Sequence, residues 1–161
     1  EGYIYETKIV SIQKGKTGVP GELAGIIDYG ESHCMGSITE NSPLGIRGVL
    51  NDTAGELEGE VYEVAYKQDI EPGKAYIISE VSGERAEYEI EIESLDYSGD
   101  EENKGILFKV TDERLLDLTG GIVQGMSGSP IIQNGKMIGA VTHVFVSDAS
   151  MGYGIFIEKM L

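Results

Sequence analysis

Glu87-Tyr88-Glu89-Ile90-Glu91-Ile92-Glu93 alternates acidic and apolar side chains without a break. A strand turns successive side chains to opposite faces, so Tyr88, Ile90 and Ile92 share a core face and the glutamates face water. Working outward, Ala75 to Val81 and Gly105 to Val110 read as neighbouring strands, bounded by Glu71-Pro72-Gly73 and by the polar loop Ser98 to Gly105. Val61 to Tyr66 is a further strand, and Ser129 to Gln133 and Lys136 to Val146 flank Asn134-Gly135, a two-residue hairpin signal. Gly152 to Ile157 follows, with Glu158 to Leu161 as the start of a terminal helix. Toward the other end, Tyr3 to Ile12 alternates loosely, Gln13 to Gly21 is a turn-rich connector, and Leu23 to Ile27, Met35 to Thr39 and Gly45 to Leu50 are short strands. Only Asp112 to Leu118, ended by Gly120-Gly121, has the pattern of one or two helical turns. About a dozen short strands at close spacing predict an all-β barrel or sandwich.

Composition narrows the function. Among 161 residues, 28 Asp and Glu outnumber 12 Lys and Arg, for a net charge of −16. That excess excludes nucleic acid, whose binding depends on cations displacing phosphate counterions, and disfavours an anionic membrane surface. Cys34 is the single cysteine, so no intrachain disulfide or cysteine metal cluster forms. Two histidines suffice for one catalytic base but not for a histidine-rich metal centre; no cofactor is expected. The 23 glycines are about twice the usual share of ~7%. The chain opens Glu1-Gly2-Tyr3 without Met, which predicts a fragment, a self-cleaved form or a trimmed one.

Gly125-Met126-Ser127-Gly128-Ser129-Pro130 carries the chemistry. A serine hydroxyl needs a base for its proton and donors for the oxyanion. Gly125 lets the backbone turn so that the N–H groups of Gly125 and Ser127 point into one concavity, and Gly128 admits close approach of a substrate. Ser127 is the expected nucleophile, and Ser129 supports the loop. The strands after Pro130 then wall a substrate groove.

Gly121 to Ile132, then Gly139-Ala140-Val141-Thr142-His143-Val144-Phe145-Val146 and Gly152 to Glu158, with Val10 to Glu22 early in the chain, resemble the stage IV sporulation protein B (SpoIVB) peptidase family. The likeness is strong at both ends and weak from Asn51 to Lys104. It implies a chymotrypsin-like double β-barrel with the first barrel incomplete: residues 1–55 as its remnant and 56–161 as the second barrel. It also implies a serine endopeptidase that acts between the forespore and mother-cell membranes. There it cuts a membrane-bound regulator in sporulation signalling and processes itself, with a membrane segment and a PDZ domain upstream.

The same resemblance matches Asp112 to the acid that works with the serine. Asp112 lies fifteen residues before Ser127, whereas chymotrypsin-like folds place this acid between the barrels; it either folds back to orient a base or caps the helix that follows. The family's base sits in a Gly-His pair, which this sequence lacks, so a missing base and a nearly inactive chain are expected. His33, in Glu31-Ser32-His33-Cys34, keeps the order His, Asp, Ser and is the possible substitute, although its polar flanks suit a surface loop. His143, inside an apolar strand, suits the specificity pocket together with Thr142, or a hydrogen-bonded core position, better than a general base. Two other functions stay open: a non-catalytic barrel that binds an extended peptide by strand addition, and an acidic module that docks a basic partner. The incomplete first barrel predicts an exposed strand edge and a homodimer through it.

Overall fold

The computed structural model describes residues 2–54 and 59–161; the domain boundary expected at 55–56, and Glu1, lie outside the described residues. The strand anticipated around Ile90 runs as β8 (Ala86–Leu95) beside β7 (Gly73–Ser79) and β9 (Ile106–Val110). Its alternation holds: Tyr88, Ile90 and Ile92 are buried, and Glu87, Glu91 and Glu93 are exposed. With β10 (Pro130–Gln133), β11 (Lys136–Val144) and β12 (Met151–Phe156) they form an antiparallel ring in the order β10-β7-β8-β9-β12-β11, closed by pairing of β10 with β11. Closure satisfies every edge and leaves one packed interior. That interior holds Ile77, Ile90, Ile106, Phe108 and Ile131, all with no exposed surface. The fold is therefore all-β, with a closed six-stranded barrel of the chymotrypsin-like kind.

Local chemistry explains the corners. Asn134 and Gly135 turn the β10–β11 hairpin with φ of +52° and +74°, the doubly positive turn that matches strand twist. Helix α1 (Glu113–Thr119) begins at Asp112, whose side chain accepts from the Arg114 N–H, and ends at a left-handed Gly120. Thr119 is fully buried, and its hydroxyl bonds the Leu115 and Gly121 carbonyls.

The first 50 residues build two small open sheets. β1 (Gly2–Tyr5), β4 (Cys34–Ser42) and β5 (Gly45–Leu50) pair in the order β1-β4-β5, and β2 (Thr7–Gln13) pairs with β3 (Glu22–Ile27). The single stretch expected from Tyr3 to Ile12 is thus two strands in different sheets. They part at Glu6, whose N–H donates to the His33 carbonyl and whose carbonyl accepts from Asp28. Every residue of β5 is exposed, and so are Ile26 and Tyr29, because among the described residues no second layer lies on these sheets. Two other expectations contract. Within Val61 to Tyr66 only β6 (Glu63–Val64) pairs, parallel to β11, and the chain end makes a single 3-10 turn, Ile157–Lys159, instead of a longer helix.

What joins the two parts also shapes the site. The Gly15 N–H donates to the Thr119 carbonyl, Gly18 to Val146 and Leu23 to Gln124, while Gln124 donates back to Gly21. The connector from residue 15 to 23 therefore splints the loop that precedes Ser127.

Candidate active site

The loop between α1 and β10 holds the serine by its backbone. The Met126 N–H donates to the Val123 carbonyl, Gly128 to Val141 and Ser129 to Met126. Between them, the N–H groups of Gly125 and Ser127 donate to no acceptor among the described residues. Both residues are exposed, with Gly125 at φ +101°, a region costly to any residue with a Cβ. An oxyanion hole needs donors left free in this way, and the glycine spacing put forward these same two N–H groups.

The Ser127 hydroxyl donates to the Thr142 carbonyl at 3.0 Å. Thr142 is set by a bulge in β11 between Val141 and His143; such bulges re-aim side chains beside functional sites. Its own hydroxyl lies 2.6 Å from the Asn103 carbonyl and 3.1 Å from that of Tyr153. Ser127, Gly128, Thr142 and His143 line one cleft of about 290 Å³, together with Asn103 and the β4–β5 turn at Ser42–Gly45. The structure thus brings Ser127, Thr142 and His143 together in one cleft, while Gly125, two residues before Ser127, is not among the residues lining it and lies against Leu23. His143 is exposed and makes no side-chain hydrogen bond among the described residues.

Asp112 and His33 have other partners. Asp112 accepts from the Glu89 N–H at 3.1 Å and the Arg114 N–H at 2.9 Å, and pairs with the Arg114 guanidinium at 2.7 Å. That guanidinium is the largest influence, and it holds the Asp112 carboxyl at about 2, below the usual 3.8. Of the two roles considered for Asp112, the helix cap is the one formed here. His33 Nδ1 lies 2.7 Å from Glu6 Oε2, and Nε2 lies 3.4 Å from Asp28 Oδ2. The Glu6 hydrogen bond, then the Asp28 charge, raise its pKa above 6.5. Both ring nitrogens of this surface histidine are taken by acids, and it lines no part of the serine cleft.

Three contributors had no local signal: Asn103, the Ser42–Gly45 turn and the connector at Gly21 to Leu23. Asn103 Nδ2 reaches the Pro43 carbonyl at 3.4 Å across 60 residues of chain. No spacing rule connects residues so far apart. Among the described residues, no group of three or more His, Cys, Asp or Glu is placed to hold a metal ion.

Comparison with known proteins completes the picture. No curated protein and no solved structure matches the chain. The model of the family described as SpoIVB peptidase S55 matches residues 1–161, the whole chain, Ser127 loop and barrel included. This chain belongs to the SpoIVB peptidase family S55.

Proposed function

We propose that Ser127 is the nucleophile of a serine endopeptidase. The observation that carries this reading is that the N–H groups of Gly125 and of Ser127 itself have no acceptor among the described residues, on an exposed loop that presents the serine. Ser127 Oγ attacks the scissile carbonyl carbon, and its proton passes to a base. The two N–H groups take the negative charge on the carbonyl oxygen. The C–N bond then breaks, the amine leaves with the proton, and water hydrolyses the acyl ester.

Neither His33 nor His143 is hydrogen-bonded to Ser127 here, and the family resemblance points to a base in a Gly-His pair that this sequence lacks. In its present arrangement Ser127 donates to a carbonyl, which cannot accept a proton in the reaction. The 161-residue chain is accordingly slow. Family membership supports a wider role: cleavage of a membrane-associated regulator in sporulation, in the space between forespore and mother-cell membranes. The open edges of the N-terminal sheets favour a homodimer.

The test uses the chain with a fluorophosphonate in which Ser127 Oγ displaces fluoride. Labelling is expected to be slow in phosphate buffer and to rise with the free-base concentration of added imidazole, which stands in for the missing general base. Ser127→Ala should abolish it. Fast labelling without imidazole would show that the chain holds its own base, and no labelling at any concentration would refute the nucleophile. A second reading, a barrel that only binds peptide, draws on the resting Ser127–Thr142 bond. It expects peptide affinity that Ser127→Ala leaves intact, with no labelling.

A further inference from the structure

We infer that the cleft beside Ser127 takes an uncharged apolar side chain from the residue on the acyl side of the cut. We infer further that Leu44, at the tip of the β4–β5 hairpin, is a specificity-determining residue there. The inference rests on the serine peptidase reading. It starts from Ala140 and Ile155, which pair directly across β11 and β12. Both are buried, at 6% and 1% exposure, yet neither belongs to the packed interior cluster that holds their neighbours Val141 and Phe156. Side chains on adjacent positions of a strand face opposite ways, so these two point out of the barrel. An outward pair on a closed barrel faces water unless something covers it. Here the cover is the hairpin tip Pro43-Leu44 and Met160, which line the same cleft as Ala140, Ile155 and Ser127.

The tip is held for this task. The Leu44 N–H donates to Ser42 Oγ, Ser42 Oγ to the Gly45 carbonyl, and Asn103 Nδ2 to the Pro43 carbonyl. Leu44 is half-buried in a region where the strand after it is wholly exposed.

Charge decides the substrate class. Among the described residues no Asp, Glu, Lys or Arg lines the cleft, whose one ionisable side chain is His143 at the rim strand beside Thr142. In the flanking loop Glu101 pairs with Lys104 and Glu102 with Lys159. A Lys or Asp side chain entering between Ala140, Ile155 and Leu44 would lose water and find no opposite charge, a costly exchange. An apolar side chain gains by the same burial. About 290 Å³ also leaves room for a branched or aromatic side chain, so selection here is by polarity more than by size.

The experiment treats the 161-residue chain, with imidazole present, with peptidyl diphenyl phosphonates carrying the side-chain equivalent of Leu, Lys or Asp at the reacting position. Ser127 Oγ bonds to phosphorus, phenoxide leaves and imidazole takes the hydroxyl proton; intact mass reads the rate. A fluorophosphonate without a recognition group runs alongside. The Leu probe should react at least roughly 30-fold faster than either charged probe, within the range a selective pocket gives. In Leu44→Asp the Leu-to-Lys ratio should fall about tenfold. Equal rates for the three probes, with the simple fluorophosphonate labelling Ser127, overturn the pocket inference while the nucleophile stands. An unchanged ratio in Leu44→Asp overturns the role of Leu44. Failure of the simple fluorophosphonate refutes the nucleophile reading alone. The pocket is then judged by shifts of the Ala140 methyl NMR signal on adding peptides ending in Leu or Lys. A Leu-selective shift supports it, and equal or absent shifts overturn it.

Discussion

Replacing Asp112 by Asn isolates the charge of one carboxylate from its shape. In the folded chain Asp112 accepts from two backbone N–H groups and pairs with Arg114, and its carboxyl titrates at about 2 instead of 3.8. A difference of about 1.8 units, at ~1.36 kcal/mol per unit, sets an upper bound of about 2.4 kcal/mol. The side chain of Asp112 is 10% exposed but that of Arg114 is 66% exposed, so water screens the pair and the net value falls to about 1–2 kcal/mol. Asn keeps an acceptor for the helix N-terminus; Ala removes it as well and costs about 1 kcal/mol more. At this chain length each kcal/mol moves the midpoint by roughly 2–4 °C. Asp112→Asn should therefore lower Tm at pH 7 by about 2–8 °C, and Asp112→Ala by more.

The sign with pH follows from the depressed folded value. The stabilisation is fully present above about 4, where the unfolded carboxyl is also ionised. It is lost as pH falls toward about 2. The gap between wild type and Asp112→Asn should hold from pH 7 to pH 5 and shrink steadily below pH 4. Urea unfolding followed by circular dichroism measures it directly, and the nine tyrosines with no tryptophan supply a second signal. Equal stabilities at pH 7, or a gap that stays constant down to pH 3, would refute the argument.

Three further outcomes are expected. Gly125→Ala places a Cβ 3.0 Å from that of Leu23 on a residue at φ +101°. The shifted amide should cut imidazole-assisted labelling of Ser127 about 100-fold, the value of one oxyanion donor, and labelling within threefold of wild type would sink that assignment. His33 should titrate above 6.5 by NMR and return toward it in Glu6→Gln; because its folded pKa is raised, any stability it lends is present below 6.5 and fades as pH rises through the folded value. The uncovered β1-β4-β5 sheet should give a dimer that grows with concentration in light scattering, and a strictly monomeric mass at high concentration would count against it.

Local rules carried much of this protein. The period of two in Glu87 to Glu93, the Asn134-Gly135 turn and the glycines around Ser127 each act within a few residues. Their physics is steric and hydrophobic, and it reads directly from order along the chain. The same rules misjudged Tyr3 to Ile12, where alternation continues through Glu6 but hydrogen bonds to His33 and Asp28 divide it between two sheets. Asp112 kept two roles, the catalytic acid that the family resemblance implies and the helix cap that its position before α1 suits. Only the tertiary structure decided that its oxygens go to Glu89 and Arg114. Only the tertiary structure set the resting bond of Ser127 to Thr142 and laid the Ser42–Gly45 hairpin over Ala140 and Ile155. Apart from Asp112–Arg114, two residues apart, those contacts join positions 15 to more than 100 residues apart. Their existence depends on how the barrel closes, which no short window of sequence contains.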